Sequence, residues 1–515
     1  MLTPVPVNTR LNKTHLIIAQ TAIALAIFVT HYRPWQGGLL EEWGLTINAN
    51  DPNFRLIMDY LPGMMGRPFH LFPHALGYAL SLNGVWGTFF VLGAAAVITF
   101  LAASWALQYL IPNRWLALAL AALLGFHPWW QGGYILRFLP AVSALMFFTL
   151  WFAFVVRYIY QANNGFSCTW WLVAALAAIP IGILTYQAFA GVYFVAVLAL
   201  WALVRQRSDD QLASRKKFTL AGLLSVGLVL LSIIWTVFIA QFFSRDGITY
   251  ELNPGDRPEN LWQAFRAYAG TLIRNAPYFL LLALVIAIIA FIAFRRQQLG
   301  WPGLLALAVA TAAGLGTGLV FLTSLGWLRD TNRVAMAIGA SLWVALVVTL
   351  SLVGLSHRWA YILAGLTLVL TLPGVVMAYA TWTNYARTQQ SVMAVTQPFR
   401  EATPPGQVLV VVDHSGLIGS EYTFVPPHLY FALWAQYGDG AQTVLCVPGS
   451  ARSERTWVQT CEHINPWYFE NALNPFEYGE LLGWANPEVI IPQNGLAPAL
   501  RQTAQLEFFA VPPAQ

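Results

Sequence analysis

Two adjacent carboxylates, Glu41 and Glu42 in GGLLEEWGLTI, stand where the chain leaves an apolar run of about twenty residues. An acid at membrane depth costs about 2.5–3.5 kcal/mol on insertion scales, so a chain that keeps one there usually uses it. Neighbouring carboxylates repel, which raises the proton affinity of at least one, and shelter from water raises it further. A carboxylate tuned in this way can serve as a general base, taking the proton of a hydroxyl as that hydroxyl attacks an activated carbon. The plainer reading is a pair of solvated loop acids.

The company these acids keep bears on that choice. Asp59 follows in the same segment, and GRPFHLFPH then supplies Arg67, His70 and His74 beside a Gly-Arg-Pro turn. GFHPWWQGGYILRF adds His127, two tryptophans, Gln131 and Arg137; LTYQAF adds Tyr186 and Gln187; GWLRDTNR adds Arg329, Asp330 and Arg333. Guanidinium forks match phosphate oxygens and tryptophan faces match sugar rings, so the set suits a phosphate-bearing lipid headgroup. Taken singly, each Arg also reads as an interfacial anchor or an ion-pair partner of Asp330 or Asp59. Each His reads as a hydrogen-bonded packing residue, and each Trp as part of an interfacial belt.

The elements that must position these groups are membrane helices. Of 515 residues, 58% are hydrophobic and 10% charged, with mean hydropathy +0.58, which a water-soluble chain could not bury. The apolar runs lack the two-residue alternation of a barrel, so a helical bundle of eleven spans is expected, centred near residues 22, 97, 121, 149, 178, 195, 230, 286, 312, 344 and 370. Arg10, Lys13, Arg114, Arg157, the cluster from Arg205 to Lys217, Arg295, Arg296 and Arg358 all fall in loops at one end, with all three lysines among them. By the positive-inside rule the N-terminus is cytoplasmic and, after an odd number of spans, the C-terminus lies outside an integral protein of the cell membrane. The first span is too long to be a removed signal peptide. The net charge of +5 is this loop bias; no basic stripe with interleaved aromatics suggests nucleic acid.

Three outer segments are longer than a turn: 32–86, 244–276 and everything after about Thr383. In the first, NFRLIMDYLPGMMG and FHLFPHALGYALSL are each apolar on one side and too short to span, which predicts two helices lying at the membrane surface. The domain boundary is set at 382/383. Beyond it GQVLVVVDHSG, QTVLCVP, EVIIP and LEFFAVP are short β-branched runs around PPHLYFALWAQYG, the pattern of a small α/β domain with a partly parallel sheet. No glycine-rich phosphate loop follows these strands. Cys446 and Cys461 both lie in this outer part and are disulfide candidates, two unpaired thiols being the alternative; no cluster suggests a structural metal.

An outer acidic pair after the first span, Gly-Arg-Pro some twenty-five residues on, then HP with a later Arg, resembles the GT-C superfamily of polytopic glycosyltransferases. LTYQAF is most similar to the O-antigen glucosyltransferases of the phage type; protein O-mannosyltransferases and lipid A aminoarabinose transferases share the wider pattern. The resemblance covers residues 10 to 205. It implies a bundle with two juxtamembrane helices over a cavity, and a polyprenyl-phosphate-linked sugar donor. It also implies direct inversion at the anomeric carbon, with a lipid-, glycan- or protein-linked acceptor. The general-base role falls on Glu41 or Glu42, and donor-phosphate contacts fall on Arg67, Arg137 and, by position alone, Arg333. His70 and His127 would support them, with Asp59, Tyr186, Gln187 and Arg329 lining the substrate side. This chain has Glu where many relatives have Asp, and Gln131 where some carry an acid. The second departure removes a possible second charge or metal ligand, and both leave room for an inactive relative that keeps the scaffold; no cofactor is assigned, a divalent cation staying open.

Two other readings stand beside this one. A lipid-linked glycan transporter would show acids or broken helices near the bilayer midplane, whereas here the charges sit at the ends; AAIPIGILTY is its best support. A non-catalytic scaffold subunit of a larger membrane assembly would tolerate the Glu-for-Asp and Gln131 departures.

Overall fold

In a computed structural model of the full chain, the described residues are 9–38, 67–81, 85–160, 166–206, 212–236, 261–317, 332–353, 355–416, 418, 428–438, 440–451, 461 and 506–511. Helices α1 (Thr9–His31), α2 (Phe72–Ser81), α3 (Trp86–Leu110), α4 (Arg114–Phe126), α5 (Leu139–Tyr160), α6 (Phe166–Thr185) and α7 (Ala190–Gln206) come first. They are followed by α8 (Leu212–Ile234), α9 (Leu261–Asn275), α10 (Pro277–Arg295), α11 (Trp301–Gly316), α12 (Asn332–Val353) and α13 (His357–Ala402). Each of the eleven expected span centres falls inside one of these helices. By length and composition eight are able to cross a membrane, and three shorter apolar helices lie at 114–126, 169–185 and 301–316, which is compatible with a polytopic membrane protein.

Several buried hydroxyls and indoles of the bundle find their partners on backbone or side chains close by, as a low-dielectric interior favours. Thr99, Thr149 and Thr349 donate to the carbonyls of Ala95, Leu145 and Ala345, four residues back. The fully buried indoles of Trp151 and Trp343 donate to Ser225 Oγ at 3.1 Å and the Leu120 carbonyl at 2.8 Å, tying α5 to α8 and α12 to α4. The turns marked by positive residues meet at one end. Ser214 donates to the Ile159 carbonyl, Arg215 to that of Arg205, and Gln206 to that of Gln298. At the other end lie the loops expected to carry the site.

There α2 forms as expected from FHLFPHALGYALSL, burying Pro73, His74, Gly77, Tyr78 and Ser81 while Phe72, Leu76 and Leu80 stay exposed. Its companion NFRLIMDYLPGMMG lies outside the described residues. The second outer segment contains a helix the sequence reading did not anticipate, α9. Tyr268 on its inner side donates to the Leu315 carbonyl at 2.5 Å, with Trp262, Phe265 and Ile273 exposed on the other.

The boundary expected at 382/383 falls inside α13, which runs unbroken for 46 residues. Ala378 and Trp382 belong to the bundle core, whereas Val392, Met393 and Phe399 belong to a second core. That second core is built on β1 (Val408–Asp413), α14 (His428–Tyr437), β2 (Thr443–Cys446) and β3 (Leu506–Val511). The strands lie in the order β2-β1-β3, with β1 parallel to β2 and antiparallel to β3, the partly parallel sheet expected of the tail. The run EVIIP lies outside the described residues. Phe399 stacks on Phe508 at 4.1 Å, and Cys446 and Cys461 are joined by a disulfide.

Candidate functional site

The sequence 127–138 is the hinge of the site. Asn113 starts α4 as a side-chain cap, its Oδ1 accepting from the backbone N–H of Trp115 and Leu116, both at 3.0 Å. The helix stops at His127, which takes the left-handed conformation (φ 32°) usually left to glycine. Pro128, Trp129 and Trp130 then turn back onto α12 and α13. A Cβ on Gly339 would overlap the Trp129 indole, and one on Gly374 would overlap the Pro128 carbonyl, so both helices present glycine where the loop crosses. Tyr278 donates to the Trp129 carbonyl at 2.9 Å. Trp130 is 1% exposed and meets Phe138 edge to face at 5.1 Å. Trp130 thus packs inward, while the half-buried Trp129 ring is seated against Gly339 of α12.

One cluster gathers on the near side of this loop. His31, at the end of α1, stacks on Tyr134 at 4.5 Å, and its Nε2 lies 3.3 Å from His127 Nε2. His31 Nδ1 faces the Ile27 carbonyl at 2.8 Å, which can only accept. Nδ1 therefore carries the proton, Nε2 is a bare acceptor, and His127 Nε2–H must be the donor between the rings. Tyr134 donates to the Phe126 carbonyl. Arg33 lies beside this group, its guanidinium 5.3 Å from the Tyr134 ring centre and 4.6 Å from that of Tyr379 on α13. Gln390, further along α13, donates to the Trp35 carbonyl at 3.0 Å and so holds the 34–36 turn. His31 and Arg33 were not among the residues singled out in the sequence, although THYRPWQGG sets both at the C-terminal end of the first span.

A second cluster joins the Gly-Arg-Pro and LTYQAF motifs. Arg67 donates from Nε to Gln187 Oε1 at 2.7 Å and lies 5.9 Å from the Tyr186 ring centre. His70 stacks on Tyr186 at 6.3 Å and bonds the Thr185 carbonyl at 3.1 Å. His74 bonds the Leu136 carbonyl at 3.1 Å, which ties α2 to the 127–138 loop. Burial pushes the His74 ring down to about 4, against the pull of that carbonyl. Burial first and the Arg67 charge second push His70 down to about 3, against the Thr185 carbonyl. Both rings are neutral at physiological pH and act as hydrogen-bonding struts.

Four of the expected site residues, Arg67, His70, Tyr186 and Gln187, thus meet in one place. His127 sits in the other cluster, and both clusters border the same loop. Arg137 belongs to that loop too, in the 136–138 turn, with its guanidinium 5.8 Å from the centre of the Phe138 ring. Arg333 stands at the second position of α12. Glu41, Glu42, Asp59 and Arg329 lie outside the described residues. Among the described residues no group of three or more His, Cys, Asp or Glu side chains could hold a metal. Neither a protein-family model nor a curated protein matches the chain.

Proposed function

We propose that the protein is an inverting glycosyltransferase of the GT-C type. It moves a sugar from a polyprenyl-phosphate donor to a lipid-, glycan- or protein-linked acceptor at the outer face of the membrane. The observation that carries this reading is the bond from Arg67 to Gln187, with His70 and Tyr186 around it. It brings together two motifs of the resemblance that are far apart in sequence, at the end of the bundle away from the positive turns. In the reaction a carboxylate of Glu41 or Glu42 takes the proton of the acceptor hydroxyl, whose oxygen forms the new bond to the anomeric carbon. The bond to the phosphate oxygen breaks as the phosphate leaves with the electron pair. Arg67, Arg137 and Arg333 are the candidates to balance that charge. The acceleration comes from positioning and preorganised positive charge, without a covalent intermediate. In this reading the N-terminus is cytoplasmic and the C-terminal unit extracytoplasmic.

The test is sugar transfer by the full chain in nanodiscs, using a panel of radiolabelled polyprenyl-phosphate hexoses and pentoses. Glu41→Gln or Glu42→Gln should abolish transfer without loss of expression or thermal stability. Full activity in both variants sinks the mechanism. Cysteine labelling of loop positions in intact cells and in inverted vesicles checks the sidedness.

A further inference from the structure

Arg33 is 1% exposed, yet its Nη1 and Nη2 have no hydrogen-bond acceptor. Its Nε–H is committed to the Thr30 carbonyl at 2.6 Å, in the last turn of α1. The two tyrosine rings, Tyr134 and Tyr379, hold the cation by its charge, but ring faces do not take the four N–H bonds of the fork. On the same turn Gln36 is 3% exposed, and its Nε2 is also buried without an acceptor. A guanidinium hidden from water with its fork unpaired is among the most costly groups an interior can hold.

The missing partner is an anion with two oxygens in the plane of the fork. Among the described residues the acids are Glu401, Asp413 and Glu507, all in the C-terminal unit or the end of α13 that serves it, so none belongs to the bundle. The neighbouring rings form a donor chain, His127 to His31 and His31 to the Ile27 carbonyl, and an imidazole in any protonation state open to it here supplies no negative charge. One buried cation and, three residues on, one buried amide donor are therefore left without a hydrogen-bond acceptor, and no acid of the bundle among the described residues balances the charge.

We propose that Arg33, with Gln36, is the binding centre for a phosphate-class oxyanion at the outer end of α1. Arg33 takes two oxygens side-on and Gln36 Nε2 a third. The planar fork, set over the Tyr134 and Tyr379 rings, is what distinguishes a phosphate from a halide, and Arg from Lys. The phosphate comes either from a lipid headgroup beside the first span or from free phosphate or pyrophosphate. The site is a property of the fold and holds for an enzyme, a carrier or a scaffold, so it does not rest on glycosyl transfer.

The experiment uses the full chain in phosphatidylcholine nanodiscs with two probes, farnesyl phosphate and inorganic pyrophosphate, read by equilibrium binding of the 32P-labelled probe and by thermal unfolding. The wild type should bind and be stabilised by at least one probe; stabilisation by farnesyl phosphate alone assigns the lipid headgroup, and stabilisation by both assigns the oxyanion irrespective of its tail. Arg33→Met should weaken binding about tenfold or more, while melting no lower than the wild type without probe, because it removes an unpaired buried charge at similar volume. Unchanged binding in Arg33→Met, or no response of the wild type to either probe, overturns the proposal. So does a lower melting temperature of Arg33→Met with binding retained, since the guanidinium would then be paired within the chain. If Arg33→Met does not fold, Arg33→Lys decides. It keeps the charge but not the fork, so about tenfold weaker binding supports the proposal and unchanged binding overturns it. Loss of transfer in the glutamate variants with phosphate binding intact would leave this site standing, and the converse would leave the base standing.

Discussion

The Nε–H of Arg67 lies 2.7 Å from Oε1 of Gln187, a hydrogen bond between residues 120 positions apart. It closes the loop that leads into α2 onto the turn between α6 and α7, and it holds one charged nitrogen of the guanidinium in place.

That bond should be measurable as a coupling. Arg67→Ala and Gln187→Ala each lower thermal stability, and the double variant loses less than the sum, with an interaction energy of about 0.5–3 kcal/mol. Strict additivity in a double-mutant cycle, read by unfolding in detergent, contradicts the bond.

Stability should fall with acid in a defined window. His74 has a folded value of about 4 against 6.5 for the free side chain, and His70 one of about 3. The unfolded chain therefore takes up protons below about pH 6.5 that the native rings refuse, so native stability is full above that pH and declines down to about pH 4. The loss attributable to His74 is on the order of 1–3 kcal/mol. In His74→Asn, which keeps an N–H donor but does not titrate, the slope of melting temperature against pH over that window should be shallower. An unchanged slope removes the cause.

The seat of the 127–138 loop is sensitive to single atoms. Gly339→Ala and Gly374→Ala force a methyl into the Trp129 indole and the Pro128 carbonyl and should cost about 1–3 kcal/mol each. Gly365→Ala, on the same helix as Gly374 but with nothing within 4 Å of the added methyl, should cost nothing and gain helix propensity. Equal melting temperatures for all three would disprove the packing described here.

The disulfide should matter to the C-terminal unit alone. It closes a loop of 15 residues, for which chain-entropy reasoning expects about 2–4 kcal/mol. Cys446→Ser, or reduction, should bring earlier proteolysis within β1, β2 and α14 while the bundle retains its unfolding transition. A single shared loss would mean that the two cores unfold together through α13.

How much of this was legible in the residues follows from distance along the chain. The helix centres and the β-branched runs of the tail could be read because each is a local pattern of a dozen residues or fewer. The surface helix α2 was legible for the same reason, whereas α9, with a more polar sequence, was not. The boundary at 382/383 followed a shift in composition, but backbone hydrogen bonding carries α13 past it, and only packing shows Trp382 in one core and Val392 in the other.

The sequence by itself determined a bundle of apolar helices, the gathering of basic turns at one end, and a small mixed sheet. Burial of apolar surface and the hydrogen-bond needs of the backbone leave few alternatives. Only the tertiary structure decided which polar residues meet. Arg33 drew no notice inside the segment 32–86, and it is a buried cation between Tyr134 and Tyr379; His127 looked like a member of the HP motif, and it is the donor to His31. Such partners lie about 100 residues or more apart, and nothing local in either stretch encodes the other, because side-chain pairing is settled by how helices pack rather than by what each helix is.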